Sequence, residues 1–128
     1  MAGAESKSFS FLTDQQTMVR DVARDVAADA IAPTAAERDR TATWPYAELK
    51  ALANLGFMGM LPSEQYGGSN AGFVAYCLAL EQIASADAGV GTIFHVHNVT
   101  AYTIALRGNE EQKQKYLPPM LRGEKIGA

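Results

Sequence analysis

The chain has 128 residues and a net charge of −3, with 48% hydrophobic and 20% charged residues. That is an ordinary globular balance for one domain, long enough to bury a core and too short for two. Lys and Arg are scattered among Asp and Glu with no basic cluster, which removes any electrostatic case for nucleic acid, and the single cysteine, Cys77, excludes an internal disulfide.

The start, MAGAESKSFSFL, has no long apolar run behind a basic end, so no secretory signal is read there. Residues 1–10 are expected to form a loose tail before a domain over 11–128. The lone cysteine fits a reducing compartment, and a cytoplasmic location is expected. Cys77 sits in the apolar run FVAYCLAL and is expected to be a small buried hydrophobe.

Thr13 followed by Gln16 forms a capping box, which starts a helix at Asp14. Apolar pairs Met18/Val19, Val22/Ala23, Val26/Ala27 and Ala30/Ile31 recur every four residues and make one buried stripe. Pro33 is expected to stop that helix, and AERDRTATW to follow as a polar connection. Pro45 opens a second helix, PYAELKALANLG, with Leu49, Leu52, Ala53 and Leu55 inward and Gly56 as its stop. A long loop, FMGMLPSEQYGGSNAG, follows, and Gly67-Gly68 reads as a turn needing positive φ. The third helix, over 71–86, is apolar on nearly every side and is expected to be mostly buried. Asp87 then caps a fourth helix over 88–107. EEQKQKYLPPML is the last, with acids first and lysines later, and Pro118-Pro119 should end or kink it. Period-two alternation is nowhere strong, so the fold class is all-α, a bundle of about five helices with 71–86 and 88–107 central. The final RGEKIGA reads as chain leaving a helix to enter something else.

The fourth helix holds the sharpest question. From 89 to 106 it carries no Asp, Glu, Lys or Arg, yet contains two histidines, an asparagine and three threonines. Those groups would need partners in hydrocarbon, so a membrane span is rejected in favour of a central helix in a bundle. His95 and His97 are two apart and point about 200° away from each other on a helix, which does not suit a metal site. Gly91, His95, Asn98 and Tyr102 fall on one side, flanked by Thr92, Val99 and Thr103. Periodicity leaves two accounts open: a buried helix whose polar groups are satisfied by neighbours, or the wall of a pocket for an apolar ligand. No catalytic constellation stands out. Gly67-Gly68-Ser69-Asn70-Ala71-Gly72 lacks the strand and the Lys-Ser/Thr ending of a phosphate loop.

In order and spacing, LTDQQTMVRDVARDVA, GFMGMLPSEQYGG, LALEQIASADAGVG and RGNEEQKQKYLPPMLRGEKIGA resemble the N-terminal helical domain of the acyl-CoA dehydrogenase family. The resemblance runs from Leu12 to Ala128. It implies α,β-dehydrogenation of an acyl-CoA thioester with FAD, bound mainly by a β-barrel and a C-terminal helical bundle outside this chain. The T-E-x-x-x-G-S-D stretch and the glutamate base would lie there too, so the chain is expected to be a fragment, or one piece of a divided enzyme, inactive alone. No catalytic, cofactor-binding or metal residue is assigned to it. The resemblance further implies that Gly91, Thr92, His95 and Val99 face the acyl tail. His95 departs from a fatty-acyl pattern, and Gly91 stands where a longer side chain can close the cavity. Together they imply a longer or more polar acyl group. An electron-transferring flavoprotein as acceptor and a homo-oligomer when complete are further implications. Two alternatives stay open: a flavin monooxygenase or oxidase of the same fold, and a stand-alone non-catalytic helical binding module.

Overall fold

A computed structural model of the chain describes residues 11–128, so the tail expected over 1–10 lies outside the described residues. All regular structure among them is helical: α1 (Asp14–Val26), a seven-residue α2 (Ala35–Thr41), α3 (Tyr46–Asn54), α4 (Gly72–Ala86), α5 (Ala88–Arg107) and α6 (Glu110–Leu121). Five of these have nine residues or more, as the periodicity predicts.

The capping box at the start of α1 is formed in both directions. Thr13 Oγ1 accepts from the Gln16 N–H at 3.1 Å, and Gln16 Oε1 accepts from the Thr13 N–H at 3.0 Å. Within the apolar pairs the second member carries the burial: Ala23, Ala27 and Ile31 are buried while Met18 and Val22 stay exposed. Small alanines on that stripe let α1 lie closely along α4.

Pro33 does not stop the helical path. A π turn over Ala27–Ile31 and a 3-10 turn over Ala32–Thr34 carry the chain into α2, with Pro33 near the start of the tighter turn. A proline is tolerated in a first turn, where its missing N–H has no intrahelical partner to lose. The expected polar connection is thus helical over residues 35–41. Leu49 and Leu52 of α3 are buried, but Leu55 is 46% exposed rather than inward, because it lies past the last helical turn as the C-cap. Gly56, at φ +78°, closes that helix as expected.

Residues 57–62 are loop by pattern and core by position: Phe57, Met58, Met60 and Leu61 are all buried. The turn at Gly67 has φ +94°. Gly68 is needed for a different reason, since a Cβ there would stand 2.1 Å from the Pro62 carbonyl oxygen.

α4 is less buried than its composition predicts. Ala75, Tyr76, Ala79 and Ile83 face inward between α1 and α5, but Phe73 is 56% exposed, and Val74 and Cys77 are exposed as well. The expectation of a buried Cys77 is therefore corrected: α1 and α5 cover two sides of α4, and Cys77 stands on the third. α6 begins with a second capping box, Asn109 with Gln112, and Pro118 and Pro119 fall in its last turn without ending it before Leu121. Leu117, Met120 and Leu121 pack with Ala101 of α5 into a satellite of the main core. The chain then folds back, with Ile126 partly buried against that main core.

Candidate functional site

The start of α5 is held by charge. Asp87 Oδ1 accepts from the Gly89 and Val90 N–H groups at 2.8 and 3.1 Å. Its other oxygen accepts from Arg38, whose Nη2 lies 2.7 Å away. Arg38 is itself buried and also donates to Glu48, to Thr34 Oγ1 and to the Ile31 carbonyl. One guanidinium thus ties the end of α1's extension, α3 and the N-cap of α5 together. Burial works against the Asp87 charge, but the Arg38 hydrogen bond, the capping N–H groups and the Arg38 charge hold its carboxyl below the ordinary 3.8. Asp87 was legible as a cap. Arg38 was not, because a buried arginine inside AERDRTATW has no periodic signal among its charged neighbours Glu37, Asp39 and Arg40.

The back of α5 faces the 57–62 segment. Asn98 is fully buried; its Oδ1 accepts from the Met60 N–H at 3.1 Å, and its Nδ2 donates to the Phe57 and Phe94 carbonyls at 3.0 and 3.1 Å. His97 is also fully buried. Its Nδ1 accepts from the Gly127 N–H at 3.0 Å, which leaves the proton on Nε2 to donate to the Met58 carbonyl at 2.9 Å. Burial pushes the His97 pKa below the ordinary 6.5. These two residues follow the account in which neighbours satisfy the polar groups of a buried helix. Asn98 therefore leaves the polar side drawn from sequence and belongs to the core.

The front of α5 is open. Thr92, His95, Val96, Val99, Thr103 and Leu106 are exposed along it, Val99 to 41%. The hydroxyls of Thr92 and Thr103 bond back to the Ala88 and Val99 carbonyls at 2.9 and 2.8 Å. His95 Nδ1 lies 2.5 Å from the phenol oxygen of Tyr76 on α4. Three of the four residues expected at an acyl tail, Thr92, His95 and Val99, thus share one face.

Gly91 does not share it. It is buried at the α4 contact, where a Cβ would meet the Ala84 Cβ at 2.7 Å and its Cα at 2.8 Å. The missing side chain lets two helices touch; it does not deepen a cavity. This corrects the role expected for Gly91.

Clefts of about 380 and 310 Å³ flank α5 at its two ends, beside Trp44 and Asp87 and beside Tyr116 and Gln112 respectively. Neither is lined by Thr92, His95 or Val99, which stand on an open surface. Among the described residues no group of three His, Cys, Asp or Glu side chains gathers to hold a metal ion, and no helix is long and apolar enough to cross a membrane.

These features define a class, an all-helical domain whose long helix, without Asp, Glu, Lys or Arg from 89 to 106, is locked from behind and open in front. Residues 13–124 match the family described as acyl-CoA dehydrogenase, N-terminal domain, and the chain belongs to that family. An acyl-CoA dehydrogenase of Bacillus subtilis (strain 168) is 41% identical over 118 residues, covering 91% of this chain and 31% of the relative. The solved structure of butyryl-CoA dehydrogenase from Megasphaera elsdenii matches with a TM-score of 0.83 at 36% identity, over 91% of this chain and 32% of that one. A chain in a structure described as the electron transferring flavoprotein of Acidaminococcus fermentans matches with a TM-score of 0.84 at 37% identity, over 91% of this chain and 31% of that one. The chain therefore spans about a third of the length of the relatives it matches.

Proposed function

We propose that this domain supplies one wall of the acyl site in an FAD-dependent enzyme that introduces an α,β double bond into an acyl-CoA thioester. The observation that carries this reading is the open front of α5 in a chain of this family: Thr92, His95 and Val99 lie side by side with no ionised carboxylate or ammonium among them. Such a surface excludes water from a hydrocarbon chain laid against it and offers no carboxylate or ammonium to be desolvated.

Two groups among the described residues that could meet a pyrophosphate are already engaged within the fold. The N–H groups of residues 67–71 all bond inward, to the carbonyls of Glu64, Ser63, Gly59, Pro62 and Met60, so that glycine-rich loop has no free amides for a pyrophosphate. Arg38 has its donors engaged by Glu48, Asp87, Thr34 and Ile31. FAD, the oxidant of the proposed reaction, and the residues that hold it are accordingly assigned to parts of the protein outside these residues, as is the proton-abstracting base. The same holds for assembly into a homo-oligomer. An electron-transferring flavoprotein as the electron acceptor is supported by the match to a chain in a structure described as an electron transferring flavoprotein.

Gly91 is the wrong place to test the wall, because any added side chain strikes Ala84. Val99→Phe adds bulk on the open face instead. In the dehydrogenase carrying this domain, Val99→Phe should shift the kcat/KM profile toward shorter acyl chains by two carbons or so, about 10-fold or more against the longest substrate. An unchanged chain-length profile would remove α5 from the acyl site.

A further inference from the structure

His95 differs from the rest of the front face in having a directed polar group. The threonine hydroxyls beside it turn back onto their own helix, so Thr92 and Thr103 present methyl groups outward. Val96 and Val99 add only hydrocarbon. The imidazole is held by a single hydrogen bond, between its Nδ1 and the phenol oxygen of Tyr76 at 2.5 Å.

Tyr76 is well placed to fix that ring. It is 4% exposed, it stacks on Phe94 with centroids 5.7 Å apart, and its ring lies 6.2 Å from that of His95. A phenol packed in this way has little freedom in where its oxygen points. Burial pushes the Tyr76 hydroxyl up to about 12, so it keeps its proton across the neutral range. That O–H has no other acceptor among the described residues, so it pairs only by donating to Nδ1, which requires the lone pair there and puts the neutral ring's own proton on Nε2. Nε2 lies on the opposite side of the ring from Tyr76, on an exposed residue, and has no hydrogen-bond partner among the described residues. The front of α5 thus presents one N–H donor on an otherwise apolar surface.

We propose that Tyr76 and His95 together select an acyl chain bearing an uncharged oxygen acceptor, a hydroxyl, keto or ether group, on the part of the chain that lies against α5. This rests on the reading of α5 as an acyl-site wall and names the substrate class for it. A plain hydrocarbon chain leaves the Nε2–H desolvated and unpaired, and an oxygen at that point pairs it. His95 is the residue that reads the oxygen; Tyr76 is a positioning residue that sets which nitrogen carries the proton.

Two measurements test this. The first is nitrogen-15 NMR of the His95 ring in the 128-residue chain. The expected pattern is an unprotonated Nδ1 and a protonated Nε2, with Tyr76→Phe giving a mixture of tautomers; a proton resident on Nδ1 in the unmodified chain would overturn the inference. The second compares kcat/KM for saturated acyl-CoAs with equal-length ω-hydroxy and ω-keto counterparts, in the dehydrogenase carrying this domain. A preference of about 10-fold or more for an oxygenated chain is expected. His95→Leu should abolish that ratio, Tyr76→Phe should reduce it, and His95→Gln, which keeps a donor, should retain part of it. Turnover of saturated chains with no preference, or a preference that His95→Leu leaves intact, overturns the inference while the dehydrogenase reading stands. No turnover of any acyl thioester overturns the dehydrogenase reading itself, and the substrate class named here with it.

Discussion

On the back of α5, His97 and Asn98 are fully buried and every polar atom of the two side chains meets backbone. On the front, His95 and Thr92 are exposed and no backbone outside α5 binds them. The residue types are alike, and they alternate within seven positions of one helix. The difference lies in what each face meets. The back closes on an irregular segment, residues 57–62, whose N–H and C=O groups cannot pair with one another as a helix would pair them. Asn98 and His97 supply that pairing, so their polarity is a property of the fold. The front has no such obligation, and polarity there is free to serve a ligand.

Replacing Asn98 with Leu should break this contrast most sharply. It leaves the Met60 N–H and the Phe57 carbonyl buried without partners, at about 2–5 kcal/mol in total. Urea denaturation of the chain would read the loss directly, and a cost under about 1 kcal/mol would mean that the loop re-pairs elsewhere.

Acid should act on the same face with a smaller effect. His97 is held neutral, its pKa below the ordinary 6.5 because of burial. Between its folded value and 6.5 the unfolded chain binds more protons than the folded one, so stability rises with pH there. The contribution is complete above 6.5 and is lost as pH falls through that window. Denaturation midpoints at about pH 7.5 and about pH 5.5 should show the decline, and His97→Gln should flatten it. An equal slope in that variant would place the proton uptake elsewhere.

The smallest effect belongs to the front. Thr92→Val keeps the shape and removes only a hydroxyl bonded to its own helix, so it should move stability by less than about 0.5 kcal/mol. A loss of several times that would mean the front face carries structure as the back does, and the contrast between them would fail.

Much of this architecture was readable in the chain. Capping pairs such as Thr13 with Gln16 act over three residues, and a four-residue apolar spacing decides which side of α1 turns inward; both are local and survive in the folded protein. What escaped was set by distant neighbours. Arg38 is buried only because Glu48 and Asp87 arrive at it from ten and forty-nine positions away. Cys77 is exposed because no described element lies over that side of α4, and hydrophobicity alone cannot report a missing neighbour. On α5, periodicity grouped Asn98 with His95, whereas the boundary between back and front passes between them. The placing of Thr92, His95 and Val99 came from family resemblance rather than from spacing, and the fold puts those three on one face. Gly91, grouped with them, turns toward Ala84 instead.

That last contact has a consequence for how the domain can vary. Between α4 and α5 there is room for one methyl group at this level and no more, with a would-be Gly91 Cβ only 2.7 Å from that of Ala84. What this helix separation requires is then the absence of a side chain at 91 itself, whatever residue stands at 84. Moving the methyl from α4 to α5, as Ala84→Gly with Gly91→Ala, does not relieve this, because the new Cβ would still stand 2.8 Å from the Ala84 Cα, a backbone atom that no substitution removes. Any side chain at 91 therefore has to move α4 and α5 apart, with every contact between the two helices disturbed along with this one.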